Sequence, residues 1–82
     1  MNIQPLLAQD SIKRDFIGRE LKVNDYVITT INNHLFLGKI IKLNQVQIKL
    51  EIKHKTVIIT KHKYPTDVVK ISNADMTFYL LR

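Results

Sequence analysis

The stretch Val46-Gln47-Ile48-Lys49-Leu50-Glu51-Ile52 alternates strictly between apolar and polar side chains. Successive side chains of a strand point to opposite faces, so this pattern predicts a strand with one buried and one wet face. Val46, Ile48, Leu50 and Ile52 fall on the buried side; Gln47, Lys49 and Glu51 fall on the other. Working outward, Lys53-His54-Lys55 is a polar turn, and the β-branched run from Thr56 to Lys61 is the next strand. On the other side, Asn44-Gln45 is a two-residue turn. Before it, Leu35–Leu43 reads as a long strand interrupted by Gly38, a residue that marks a bend or bulge.

Further out the same logic continues. Asn32-Asn33-His34 is a turn, Tyr26–Ile31 is a strand, and Val23-Asn24-Asp25 is a turn because Asn and Asp tolerate positive φ. Tyr64-Pro65-Thr66-Asp67 breaks the pattern with one helical turn before a last strand, Val68–Ile71. The fold class expected is mostly β: one small five-stranded barrel over residues 16–72. Residues 1–15 form an N-terminal arm, or a short helical turn through Ile12, Lys13 and Arg14 capped by Asp10-Ser11. Residues 73–82 form a C-terminal tail, apolar from Met76 to Leu81, that packs on the barrel or pairs as an extra strand.

Composition excludes several classes of function. The chain has 82 residues, enough for one core, and no cysteine, so disulfides, thiolate metal sites and thiol nucleophiles are ruled out. No apolar run is long enough to span a bilayer, and the opening MNIQPLLAQD lacks the basic region of a signal peptide. These features predict a soluble, cytoplasmic protein without membrane association. Asp15, Asp25, Asp67, Asp75, Glu20 and Glu51 are scattered, and Asp25 reads as a turn residue. His34, His54 and His62 lack metal-ligand spacing and read as exposed turn residues. Two glycines make no phosphate loop, and neither Ser11 nor Ser72 sits in a nucleophile elbow. The expectation is a non-enzyme with no cofactor and no metal.

A resemblance appears at residues 18–52. Gly18-Arg19-Glu20-Leu21-Lys22-Val23-Asn24-Asp25-Tyr26-Val27 resembles the opening "G-x-x-L-x-V-G-D-x-V" of many SH3-like barrels. Leu37-Gly38-Lys39-Ile40-Ile41-Lys42-Leu43 resembles the "x-G-x-V-x-x-V" centre of the KOW motif. Asp15 and Gly18-Arg19 also fit the opening "D-x-x-G-R-x-L-x-V-G-D-x-V" carried by small proteins of tailed bacteriophages. One position departs: Asn24 stands where the family has glycine, and Asn can take the left-handed conformation that turn needs. The resemblance implies an SH3-like, KOW-type barrel that touches RNA, DNA or polymerase. It also implies a phage accessory protein working in the host cytoplasm.

Charge points the same way. Thirteen Lys and Arg against seven Asp and Glu leave a net charge of +6, which favours an anionic partner. Lys53-His54-Lys55 and Lys61-His62-Lys63 bracket one strand, and Lys39, Lys42 and Lys49 precede it. With Arg19, these lysines (Lys39, Lys42, Lys49, Lys53, Lys55, Lys61 and Lys63) are the candidate nucleic-acid contacts. Lys49, Lys53, Lys61 and Lys63 are expected on one outer surface. Lysine suits phosphate contact and not base reading, so little sequence preference is expected. The same lysines also protect sheet edges. Tyr26, Phe36 and Tyr64 are the candidates for base stacking, whereas Phe16 and Phe78 are expected to pack. The alternative partner is an acidic host protein. The apolar terminal segments, Pro5-Leu6-Leu7 and Met76–Leu81, would then offer an interface to it or to a second copy in a homodimer.

Overall fold

A computed structural model describes residues 12–81. The expected contacts of Pro5-Leu6-Leu7, and the cap at Asp10-Ser11, lie outside the described residues. The element order is β1 (Lys13–Arg14), β2 (Glu20–Leu21), β3 (Tyr26–Ile31), β4 (His34–Leu43), β5 (Ile48–His54) and β6 (Val57–Lys63). A single 3-10 turn (Pro65–Asp67), β7 (Val68–Lys70) and a helix, α1 (Asn73–Leu81), complete it. β1 and β2 form a two-stranded antiparallel sheet. The other five strands form one antiparallel sheet in the order β6-β5-β4-β3-β7.

The core lies on one side of this sheet. Val27, Ile40, Ile48, Leu50, Ile52 and Val68 are fully buried there together with Leu21 of β2. The alternation of β5 supplies three of these seven side chains, as the sequence pattern predicts, but starts at Ile48. Val46 is 63% exposed because it sits in a four-residue loop, Asn44–Gln47, closed by the Asn44 amide on the Gln47 carbonyl. Gly38 pairs regularly with Val27, so the expected interruption is not there. Its lack of a side chain serves a close approach instead: a Cβ would lie 3.3 Å from Ile52 Cγ1 and 3.5 Å from Leu50. The register shift falls between Ile40 and Lys42, leaving Ile41 unmatched opposite β5. That extra residue turns both Ile40 and Leu43 toward the core.

The sheet must curl. Five strands laid flat would hold β6 and β7 roughly 19 Å apart. Only residues 64–67 join those strands, and three of them are wound into a 3-10 turn that rises about 2 Å per residue. The expected barrel is nevertheless not closed by a ladder: among the described residues no pairing joins β6 to β7. A side chain spans part of the opening, where Lys63 Nζ donates to the Thr30 carbonyl at 2.8 Å.

At each terminus one of the two expected alternatives is excluded. Lys13–Arg14 is a strand and not a helical turn, because Lys13 pairs with Leu21 and Arg14 with Glu20. Residues 73–81 are a helix and not a sixth strand. Ser72 Oγ accepts from the Asp75 amide at 3.1 Å, and Asp75 Oδ2 accepts from the Ser72 amide at 3.2 Å. This reciprocal box satisfies two amides that a helix start otherwise leaves open.

Candidate nucleic-acid interface

Paired residues in an antiparallel ladder share a face, so the register sorts the lysines. In β5, Lys49, Glu51 and Lys53 alternate with the buried Ile48, Leu50 and Ile52 and therefore face outward. Lys39 pairs with Glu51, and Lys42 pairs with Lys49. Lys39, Lys42, Lys49 and Lys53 thus share the outer face of β4 and β5. His62 of β6 joins them, opposite Lys49.

Lys61 and Lys63 do not. They pair with Leu50 and Ile48, which puts them on the core side of β6, at the rim of the sheet. The expected common surface of Lys49, Lys53, Lys61 and Lys63 is therefore divided in two. The physical reason is register: the Lys55-Thr56 hairpin is two residues long, so the odd-numbered positions of β6 lie beside the even-numbered positions of β5. Lys55 occupies that hairpin tip. Arg19 lies elsewhere, in the β1–β2 hairpin, with Nη1 donating to the Lys70 carbonyl at 2.9 Å.

Lys42 opposite Lys49 is an unfavourable neighbourhood for an isolated sheet, since like charges directly across a ladder repel. Among the described residues, no hydrogen bond or ion pair holds Lys39, Lys42, Lys49 or Lys53. By contrast Lys13, Lys63 and Lys70 are all engaged: Lys13 on the Gln45 carbonyl, Lys63 on that of Thr30, and Lys70 on Asp25 at 3.2 Å.

Beside the lysines the same face dips into a groove of about 680 Å³. Tyr26, Ile28, Leu35 and Leu37 supply its apolar wall, and Lys39, Glu51 and Lys53 its polar one. Leu35 is 73% exposed there. Of the three stacking candidates, Tyr26 and Phe36 both line this groove, and Tyr26 does so from the lysine side. Phe36 points to the core face, where its ring meets His54 edge-on at 5.6 Å. Tyr64 is exposed in the β6–β7 link, away from the groove. Phe16 does not pack as expected: it is 73% exposed at the tip of the β1–β2 hairpin. The side chain of Phe78 lies outside the described ones.

One acidic residue serves the architecture. Asp15 is buried; its Oδ1 accepts from the amides of Arg19 (2.7 Å) and Ile17 (3.1 Å), and its Oδ2 accepts from the Lys70 amide (2.7 Å). Burial pushes its carboxyl up. The amides, Lys70 first and then Arg19 and Ile17, outweigh that with help from the Arg19 charge and hold it below the ordinary 3.8. Among the described residues, no three His, Asp or Glu side chains converge in a way that could hold a metal. No described helix is long and apolar enough to cross a membrane.

The molecule is thus a small, mostly β domain whose open antiparallel sheet buries one face and presents lysines and an apolar groove on the other. It belongs to the family described as a domain of unknown function, DUF7205, whose model matches residues 13–71. That span runs from the first residue of β1 to the residue after β7 and leaves α1 outside. No curated protein and no solved structure matches the chain.

Proposed function

We propose that this domain is a non-catalytic nucleic-acid-binding module of SH3-like, KOW type that uses the outer face of β4 and β5 with little sequence preference. The observation that carries the reading is the cluster Lys39, Lys42, Lys49 and Lys53, with Lys42 and Lys49 directly opposed. Phosphates between such lysines would relieve their repulsion and release counterions. The strand order supports the barrel type: a β3–β4–β5–β6 meander with β7 returning beside β3. The motif resemblance adds a setting, that of a phage accessory protein in the host cytoplasm.

Four phosphate contacts imply a log–log salt slope of about −3.6 on duplex DNA and about −2.8 on a single strand. Fluorescence anisotropy with labelled oligonucleotides should therefore show duplex affinity falling roughly 150-fold between 50 and 200 mM salt. Lys42→Glu with Lys49→Glu should abolish binding at unchanged melting temperature. No binding by the wild-type protein at 50 mM salt and high micromolar concentration sinks the proposal.

A second reading, an interaction module for an acidic host protein, draws on the exposed apolar wall around Leu35. Peptide-binding barrels combine such a wall with flanking charge.

A further inference from the structure

Glu51 is the one feature of the basic face that phosphate binding leaves unexplained. Its neighbours along β5 are Lys49 and Lys53, each about 6.8 Å away by strand rise, and Lys39 is its partner across the ladder. A carboxylate there weakens any purely phosphate-binding surface. Yet among the described residues it makes no hydrogen bond and no ion pair, although three lysines surround it. It lines the groove directly across from the wall of Tyr26, Ile28, Leu35 and Leu37.

A cavity of about 680 Å³ lined by Tyr26, Leu35, Phe36 and Leu37, with His54 and a single carboxylate, Glu51, is suited to a flat, partly polar ring. A nucleobase is such a ring. Lysines at the groove's edge would hold the phosphates on either side of it. A duplex keeps its bases stacked and paired, so it cannot offer one to a groove on a sheet face; a single strand can. A carboxylate only accepts, so it selects bases with an exocyclic amino group, as Glu and Asp do with N4 of cytosine. Thymine can donate only its ring N3–H, which lies between two carbonyl oxygens that repel a carboxylate.

We infer that the groove between Tyr26 and Glu51 is a base-binding site for single-stranded nucleic acid, with Glu51 accepting a hydrogen bond from the exocyclic amino group of a base such as cytosine. This rests on the nucleic-acid reading above and adds to its phosphate contacts a preference at one base position. The charge complementarity is local: lysines for phosphates, the carboxylate for the amino group, the apolar wall for the ring face. An acidic peptide would place carboxylates against Glu51 and fits the site less well.

The test uses the full chain and three labelled probes of equal length: oligodeoxycytidine, oligothymidine and a mixed-sequence duplex. At 100 mM salt the cytosine strand should bind about ten-fold tighter than the thymine strand, the size of a single base-edge contact. Both strands should bind tighter than the duplex. Glu51→Leu, which removes the acceptor together with the charge, should bring the cytosine-to-thymine ratio to about one by raising affinity for the thymine strand. A Glu51 that only balances the lysines would raise affinity and leave the ratio unchanged, which overturns the inference. Tyr26→Ala should lower single-strand affinity about ten-fold with duplex affinity unchanged. Duplex binding as tight as that of either strand also overturns the inference, but it leaves the phosphate reading standing. Loss of binding to all three probes removes the nucleic-acid reading itself.

Discussion

At the scale of single residues, Asp15 and Lys55 show opposite uses of a strained or buried position. Asp15 ties the β1–β2 hairpin to β7 through one carboxylate that accepts three amides. Removing it leaves those donors unpaired, so Asp15→Ala should lower stability by about 3 kcal/mol in urea unfolding. Its pH signature has a definite sign. The folded carboxyl is held below 3.8, so its contribution is complete above that value and is lost as pH falls through the lower folded value. The stability curves of wild type and Asp15→Asn should draw together as pH falls past 3.8 and meet only below the lower folded value, and curves that stay parallel would deny Asp15 this role. Lys55 is a cost and not a tie: it sits at φ 57° in the β5–β6 turn, a conformation that strains a side chain. Lys55→Gly should raise stability by about 1 kcal/mol. Asn24, Asn32 and Asn33 hold positive φ as well (80°, 52° and 67°), but Asn adopts it at less expense.

At the scale of elements, legibility followed how local the cause was. β3 and the hairpin Asn32-Asn33 could be read because β-branched runs and left-handed Asn residues act within a few positions. The alternation starts at Val46, two residues before β5 does, since a loop of four looks like strand when its second-to-last side chain is apolar and keeps the alternation. β1 could not be read: two residues make no periodic signal, and their pairing with Glu20–Leu21 is decided by the Asp15 hub. α1 carries a local signal of its own. Ser72-Asn73-Ala74-Asp75 has the spacing of a capping box, and this outweighs the apolar Met76–Leu81 run, which by itself suits sheet pairing equally well. The box predicts that Ser72→Ala destabilises the helix by about 1 kcal/mol. Amide exchange across residues 73–81 should quicken in that variant while β3–β5 stays protected; uniform protection in α1 would show that the cap contributes nothing.

At the scale of the molecule, the sheet divides its charge between two faces, and sequence alone could not see the division. Lys61 and Lys49 look equivalent as isolated lysines in neighbouring strands. The register across the two-residue β5–β6 turn sends Lys61 to the core side of the rim, beside Leu50, and Lys49 to the outer face beside Lys42. Net charge and its distribution then make separate predictions. Lys61→Glu and Lys49→Glu each lower the net charge by the same two units. If binding responds only to total charge, both should weaken it equally. If the outer face is the interface, Lys49→Glu removes a phosphate contact and places an anion among Lys42, Lys53 and Glu51. Lys61→Glu leaves that face intact. Lys49→Glu should therefore weaken binding at least ten-fold and shift the salt slope by about one contact, whereas Lys61→Glu should change affinity by less than about three-fold with the slope preserved. Because both residues sit on strands that pair with each other, comparable melting temperatures for the two variants would confine the difference to the surface each one occupies. Equal loss in both would move the interface off the outer face of β4 and β5 and onto the field of the whole domain.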